Sequence, residues 1–295
     1  MKIGIAGAGR MGAAMATRLL ARAHTVSVWN RTPRKAQDLA GVGAAVAATP
    51  RELSAASDFI ITMLTDAAAI DATYHGASGL LSGEARGKLY VEMSTVRPEI
   101  QTALAARVRE KGAALVECPV GGTVGPAKEG KLFGFVGGEA ADVERARPLL
   151  DELCRRVEHV GAIGAGASLK LAINLPLLVY YQALGEALSL CRSIDVEPAR
   201  LIDIFADTSG GPNMLKVRGA TIAATLRGKE TAPVTFDVDL IRKDLRTMLD
   251  EAAGLGVRLP LTAQALERYD EAARDGLGAS DATMLPAYWL RHNGS

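Results

Sequence analysis

Residues 1–163 predict an α/β domain built on a doubly wound, mostly parallel sheet, and residues 164–295 predict an all-helical domain that opens with a long interdomain helix. Three observations carry that division. Short apolar runs alternate with helical patterns through about residue 160. A glycine-rich break, Gly161-Ala162-Ile163-Gly164-Ala165-Gly166, follows, and strand signals almost vanish beyond it. The first strand, Lys2-Ile3-Gly4-Ile5-Ala6, runs directly into Gly7-Ala8-Gly9-Arg10-Met11-Gly12. A helical pattern spans Met11 to about Arg22, and a second strand, Val26-Ser27-Val28-Trp29, ends in Asn30-Arg31-Thr32. Strand, glycine turn, helix, strand is the context in which GxGxxG cradles a dinucleotide. Gly7 permits the tight turn, Gly9 lets backbone amides approach a pyrophosphate, and Gly12 lets the helix pack on the strand. The helix N-terminus, with Arg10 and Met11 in its first turn, then offers unpaired amides and partial positive charge to the phosphates. The fold expected is therefore Rossmann-type.

Further strands are expected at Phe59–Met63, Leu89–Met93, Ala114–Glu117, Phe133–Val136 and Arg156–Val160, with helices between them such as 50–56, 98–111 and 140–154. After the break a long helix runs from about Ala167 to Ser193. Others follow near 198–206, 213–225, 237–253, 260–274 and 281–290. The long helix is apolar but interrupted by Lys170, Asn174, Gln182 and Glu186, so it reads as a buried helix rather than a membrane span.

The end of the second strand indicates which dinucleotide. A cofactor without a 2′-phosphate is usually held there by Asp or Glu, which accepts hydrogen bonds from the ribose hydroxyls. This chain has Asn30, Arg31 and Thr32 instead, with Arg34 and Lys35 close behind. A carboxylate would repel a 2′-phosphate, whereas a guanidinium grips one through parallel hydrogen bonds and Thr32 adds a hydroxyl. The site reads as NADP(H)-preferring; solvated charges at a helix start are the alternative.

Bulk properties exclude several classes. Lys and Arg number 34 against 33 Asp and Glu, so nothing in the charge points to nucleic acid or an acidic membrane surface. Cys118, Cys154 and Cys191 are widely spaced, an odd number without CxxC, which suits a reducing cytoplasm and neither a disulfide framework nor a zinc site. The four histidines have no metal-ligand spacing, so no metal is expected. No charged-then-apolar leader precedes the first strand, and a cytoplasmic location is expected.

Lys170 and Asn174, four residues apart, share one face of the first helix after the linker. Active sites of such sheets lie beyond the carboxyl ends of the strands, so the helical domain is expected to supply the other wall and this pair to stand near the mouth of the cofactor cleft. A lysine there can give a proton to a carbonyl oxygen as hydride arrives, or take one in reverse, and burial would bring its pKa toward the working range. Asn174 would hold the same oxygen. From spacing alone, an interdomain or capping lysine stays open.

Over nearly its whole length the chain resembles the β-hydroxyacid dehydrogenase family, which includes 3-hydroxyisobutyrate dehydrogenase and short-chain semialdehyde reductases. The segments that carry the resemblance are Gly7–Ala16, Ile61-Thr62-Met63-Leu64, Met93-Ser94-Thr95, Glu117–Thr123, Gly164–Asn174, Phe236 and Lys243-Asp244-Leu245. It implies Lys170 as proton donor and acceptor, Asn174 as its orienting partner, and Met63, Leu64 and Thr95 against the cofactor. It also implies Pro119, Gly121, Gly122 and Thr123 on the loop that holds a substrate carboxylate, Phe236 lining the site, and Lys243 near both cofactor and substrate. A homodimer or homotetramer formed through the helical domain is implied as well.

The chain departs from the pattern where substrate is chosen. Gly121 stands where serine is usual and Thr123 where glycine is usual, and Ile173 replaces a common asparagine. Losing a hydroxyl donor to a carboxylate is worth roughly 1.5–3 kcal/mol, so weaker affinity for simple hydroxyacids or a shift in specificity is expected unless Thr123 or a backbone amide replaces it, and Ile173 implies a more apolar pocket. Thr208–Asn213 is expected as a turn whose polar groups line the substrate or cap the next helix. The leading reading is NADP(H)-dependent hydride transfer between the nicotinamide and a short semialdehyde, 2-oxo acid or hydroxyacid. An imine reductase is disfavoured by Lys170 and the Pro119–Gly122 loop, and a non-catalytic cofactor-binding sensor or scaffold by the presence of Lys170 with Asn174.

Overall fold

The computed structural model describes residues 1–229 and 233–292, which form two compact units, Met1–Leu171 and Ala172–Ser295. The first unit holds nine strands: β1 Lys2–Ala6, β2 Thr25–Trp29, β3 Ala45–Val46, β4 Phe59–Thr62, β5 Leu89–Glu92, β6 Ala114–Glu117, β7 Val120–Gly121, β8 Leu132–Gly137 and β9 Cys154–Gly161. Their order is β3-β2-β1-β4-β5-β6-β8-β7, with β9 paired to β8. The run from β3 to β6 is parallel, β8 lies antiparallel to β6 and β7, and β9 is parallel to β8. The strand order reverses on either side of β1, where a doubly wound sheet opens its crevice.

The two-residue side-chain period explains the layers. Ile3 and Ile5 of β1, Ile61 of β4, Val91 of β5 and Val116 of β6 enter one apolar core, with Ala14, Met15 and Leu19 of α1 (Arg10–Ala21). Their neighbours Ile60, Tyr90 and Leu115 enter the other. Against them lie Leu53 of α3 (Pro50–Ala55), Ile70 and Tyr74 of α4 (Ala67–His75), and Leu104 and Val108 of α5 (Pro98–Glu110). The helices α2 (Pro33–Ala40), α6 (Val124–Glu129) and α7 (Ala140–Leu153) complete the unit. The path of the sheet ends in two-residue strands, β3 and β7. The longer β9 carries exposed Arg155 and Arg156, whose guanidinium carbons stand 5.7 and 5.0 Å from the Phe133 ring centroid.

The helix α8 (Ala165–Leu190) begins in the first unit and continues into the second. By length and composition alone it is apolar enough to cross a membrane. Leu178, Tyr181, Leu184 and Leu188 are nevertheless buried, and the Tyr269 hydroxyl donates to the Leu178 carbonyl at 2.7 Å, the marks of a core helix. The second unit continues with α9 (Pro198–Ala206), α10 (Asn213–Leu226), α11 (Val238–Gly254), α12 (Pro260–Ala272) and α13 (Leu285–His292). Its β-type pairing among the described residues is one isolated bridge, Asp237 to Asp281. Pro212 rather than a polar side chain stands at the start of α10, and no side-chain cap bond forms there, which removes capping as the alternative role of the Thr208–Asn213 turn.

Candidate active site

Parallel strands end on one edge of a sheet, and that edge gathers the candidate residues of the first unit. The turn after β1 is tight: the Gly7 amide donates to the Trp29 carbonyl at 2.9 Å with φ at +104°. A Cβ on Gly7 would lie 2.2 Å from the Met63 carbonyl oxygen, and one on Gly12 1.9 Å from that of Gly7, so neither position accepts a larger residue. At Gly9 the opposite holds, since an added Cβ would meet nothing within 4 Å. No side chain caps α1 and its first turn has no acidic residue, which leaves its leading amides for an anion. This cradle fits a dinucleotide pyrophosphate. Asn30 closes β2 and donates to the Thr32 carbonyl at 3.0 Å, while Arg31 and Thr32 are exposed. Between Thr25 and Gln37 there is no acidic residue.

Two buried glutamates organise the neighbouring loops. Glu92 ends β5, and its carboxylate accepts from the Thr62 hydroxyl at 2.5 Å and the Ser94 amide at 2.7 Å. Ser94 in turn accepts from the Leu64 amide at 2.8 Å, so Met63-Leu64 and Ser94-Thr95 are joined through one hydroxyl. Glu117 ends β6 in register with Glu92, and its Oε1 accepts from the amides of Gly164 and Gly166 at 2.6 and 2.8 Å. Burial pushes each acid up to about 7, against the pull of its hydrogen bonds. Pro119 is buried; Gly121 and Thr123 are half-buried and Gly122 exposed, with φ of +118° at Gly122. A Cβ on Gly121 would make ordinary contact with Phe133 and Phe135 at 3.6–3.7 Å, so the missing serine is not excluded by space.

Lys170 and Asn174 are one turn apart on α8, and both are buried, 9% and 6% exposed. In the second unit the Asn174 amide donates to Asp244 Oδ2 at 3.4 Å, and the Lys243 ammonium lies 2.6 Å from Asp244 Oδ1. Asp244 is 4% exposed and thus gathers Asn174 and Lys243. One turn before Lys243, Asp239 pairs with Arg242 at 2.7 Å. The backbone at Phe236 is held by Asp281, whose Oδ2 accepts from the amides of Thr235 and Phe236 at 2.8 and 3.2 Å. A groove of about 390 Å³ between α9 and α10, lined by Ile202, Asp203, Leu215 and Gly219, contains none of these residues.

Glu92, Glu117 and Asp281 were not among the candidates read from the chain. Their signal, for the first two, is a strand of three apolar residues that ends in a carboxylate: Leu-Tyr-Val-Glu and Ala-Leu-Val-Glu. Such an acid, placed at the carboxyl edge of a parallel sheet, is buried because both faces of these strands are covered.

Comparison with known proteins is consistent over both units. Residues 2–161 match the NAD-binding domain of 6-phosphogluconate dehydrogenase, and residues 164–289 match the model described as NAD-binding of NADP-dependent 3-hydroxyisobutyrate dehydrogenase. Glyoxylate/succinic semialdehyde reductase 1 of Arabidopsis thaliana is 32% identical over 97% of this chain and 97% of its own length. Among solved structures, 3-hydroxyisobutyrate dehydrogenase of Mycobacterium tuberculosis with L-serine is 26% identical, with a TM-score of 0.84 over 99% of each chain. Psf3 in complex with NADP+ and 2-OPP is 28% identical, with a TM-score of 0.86 over 99% of this chain and 100% of its own.

Proposed function

The chain belongs to the β-hydroxyacid dehydrogenase family, and from that premise we propose an NADP(H)-dependent oxidoreductase that interconverts a short semialdehyde or 2-oxo acid and its hydroxyacid. The observation that carries the reading is the pair of buried polar side chains, Lys170 and Asn174, one turn apart on an otherwise apolar α8. A buried lysine with a second buried polar side chain one turn away is a candidate for acid–base work. Here it gives a proton to the carbonyl oxygen in reduction and takes it back in oxidation. Asn174, aimed by its bond to Asp244, fixes that oxygen. A bound nicotinamide supplies or accepts the hydride.

The residues from Gly7 to Gly12 hold the pyrophosphate with backbone amides, and Met63, Leu64 and Thr95 line the cofactor. Arg31 and Thr32 hold the 2′-phosphate; their exposure and the lack of a nearby acid support NADP(H) over NAD(H). Pro119, Gly121, Gly122 and Thr123 receive the substrate's acidic end mainly through backbone amides, with Phe236 and Lys243 completing the pocket. In this assignment residues 1–163 carry the cofactor, and 164–295 the substrate side and the contacts of a homodimer or homotetramer. A cytoplasmic location agrees with three free thiols.

The test is a panel of C2–C6 semialdehydes, 2-oxo acids and hydroxyacids assayed with NADPH and NADH, on the wild type and Lys170→Ala. Lys170→Ala is expected to bind NADPH normally while kcat falls roughly 10²–10⁴-fold. Unchanged turnover would remove Lys170 from the mechanism, and faster turnover with NADH would overturn the role of Arg31 and Thr32.

A further inference from the structure

Gly164 precedes the helix that carries Lys170, Ala165–Leu190, and has no side chain with which to cap its first turn. The leading amides of a helix need acceptors. At α8 the acceptor comes from 47 residues upstream: Glu117 Oε1 takes the Gly164 and Gly166 amides at 2.6 and 2.8 Å. The carboxylate is fully buried, with Oε1 taking both amides and Oε2 making no hydrogen bond among the described residues. A Cβ on Gly137 would lie 2.3 Å from Glu117 Oε1. One on Gly166 would lie 2.3 Å from the Phe135 carbonyl oxygen and 3.3 Å from Glu117 Oε1. Glycine at both positions lets β8, the strand end and the helix start close around one oxygen.

Both sides of that oxygen lead to the proposed chemistry. Two residues beyond Glu117 is Pro119, where the substrate loop begins, and four residues beyond Gly166 is Lys170. At 1.5 Å per residue, Lys170 is roughly 6 Å along the helix from the pinned amide.

We infer that Glu117 is a positioning residue: its carboxylate pins the first turn of α8 to the strand feeding the 119–123 loop, and so fixes Lys170 against the substrate. The inference rests on the assignment of Lys170 as the acid–base group. Glu117 itself touches neither substrate nor cofactor in this scheme; it acts through the helix.

The test compares Glu117→Ala, Glu117→Gln and Glu117→Asp with Lys170→Ala, each as the full chain, for kcat, KM of the carbonyl substrate, NADPH affinity by fluorescence, and melting temperature. Glu117→Ala leaves the two amides without an acceptor, and a displacement of about 1 Å lowers kcat roughly 100-fold. NADPH affinity stays within about twofold, because the Gly7–Gly12 cradle keeps its own hydrogen bonds. Glu117→Gln offers an amide oxygen to the same two N–H groups and restores kcat to within about threefold of wild type. Glu117→Asp keeps the charge but falls one methylene short, and loses more activity than Glu117→Gln. Should Glu117→Ala not fold, the order of the Gln and Asp variants decides.

Wild-type turnover in Glu117→Ala, or an Asp variant more active than the Gln variant, overturns the inference. Loss of NADPH affinity in step with kcat does so too, since it would mark a general structural role. An active Lys170→Ala brings down the underlying mechanism instead; an inactive Lys170→Ala beside a fully active Glu117→Ala brings down this inference alone.

Discussion

In the nucleotide-binding unit Glu92 and Glu117 end neighbouring strands and accept hydrogen bonds from amides and a hydroxyl, whereas in the helical unit Asp281 lies against a guanidinium. Burial dominates for the two glutamates and lifts them to about 7. Burial is also the largest influence on Asp281, but it is outweighed by the Thr235 amide, the Arg218 charge and the Thr283 donors, and the group ends below its ordinary 3.8. The difference teaches that hydrogen bonds alone hold a buried acid in place without making its charge comfortable. A cation does both. The pH consequences are opposite. A raised carboxyl contributes stability that is present below its unfolded value of 4.5 and is lost as pH rises through about 7. The lowered Asp281 contributes stability that is present above 3.8 and is lost as pH falls through its folded value.

Breaking the cation-paired system should have the largest effect on stability. Asp281→Ala leaves Arg218, 15% exposed at its side chain, without its carboxylate, and frees the amides of Thr235 and Phe236. A loss of about 3–5 kcal/mol at pH 7 is expected in urea denaturation of the full chain. A loss below about 1 kcal/mol would place Asp281 with ordinary surface pairs.

The unpaired system responds in the other direction. Glu92→Gln removes the need to ionise a fully buried group, so the variant is expected to melt roughly 3–8 °C above wild type at pH 8. The gap should close toward pH 5, and a gap that widened in acid would reverse the sign argued above.

The smallest effect tests whether charge alone suffices. Arg218 reaches Asp281 with one nitrogen and the Thr235 hydroxyl with another. Arg218→Lys keeps the charge and forfeits one of those bonds, for a loss of about 1 kcal/mol. Calorimetry of the two proteins at pH 7 measures it, and equal stability would show that the fork geometry is dispensable.

The sequence made some parts of this molecule legible and hid others for physical reasons. Gly7, Gly9 and Gly12 were readable because each serves a local backbone need within one turn. Lys170 and Asn174 were readable because two polar residues at helical spacing interrupt an apolar face. The strands β3 and β7 were not expected: two residues have no period, and Ala45-Val46 and Val120-Gly121 are strands only because β2 and β8 pair with them. Asp281 was hidden because its partners lie at 218 and 235, far away along the chain. Glu92 and Glu117 were visible as strand ends, but their work lies in the loops they grip.

The rims of the sheet matter to molecules other than the substrate. A nascent strand from a stranger chain seeks a long, flat row of unpaired peptide groups to extend. Here β3 and β7 present ledges of two residues, and β9 confronts a newcomer with the guanidiniums of Arg155 and Arg156. An unfolded neighbour is thereby offered two short ledges and one strand with a pair of arginines directly after its first residue.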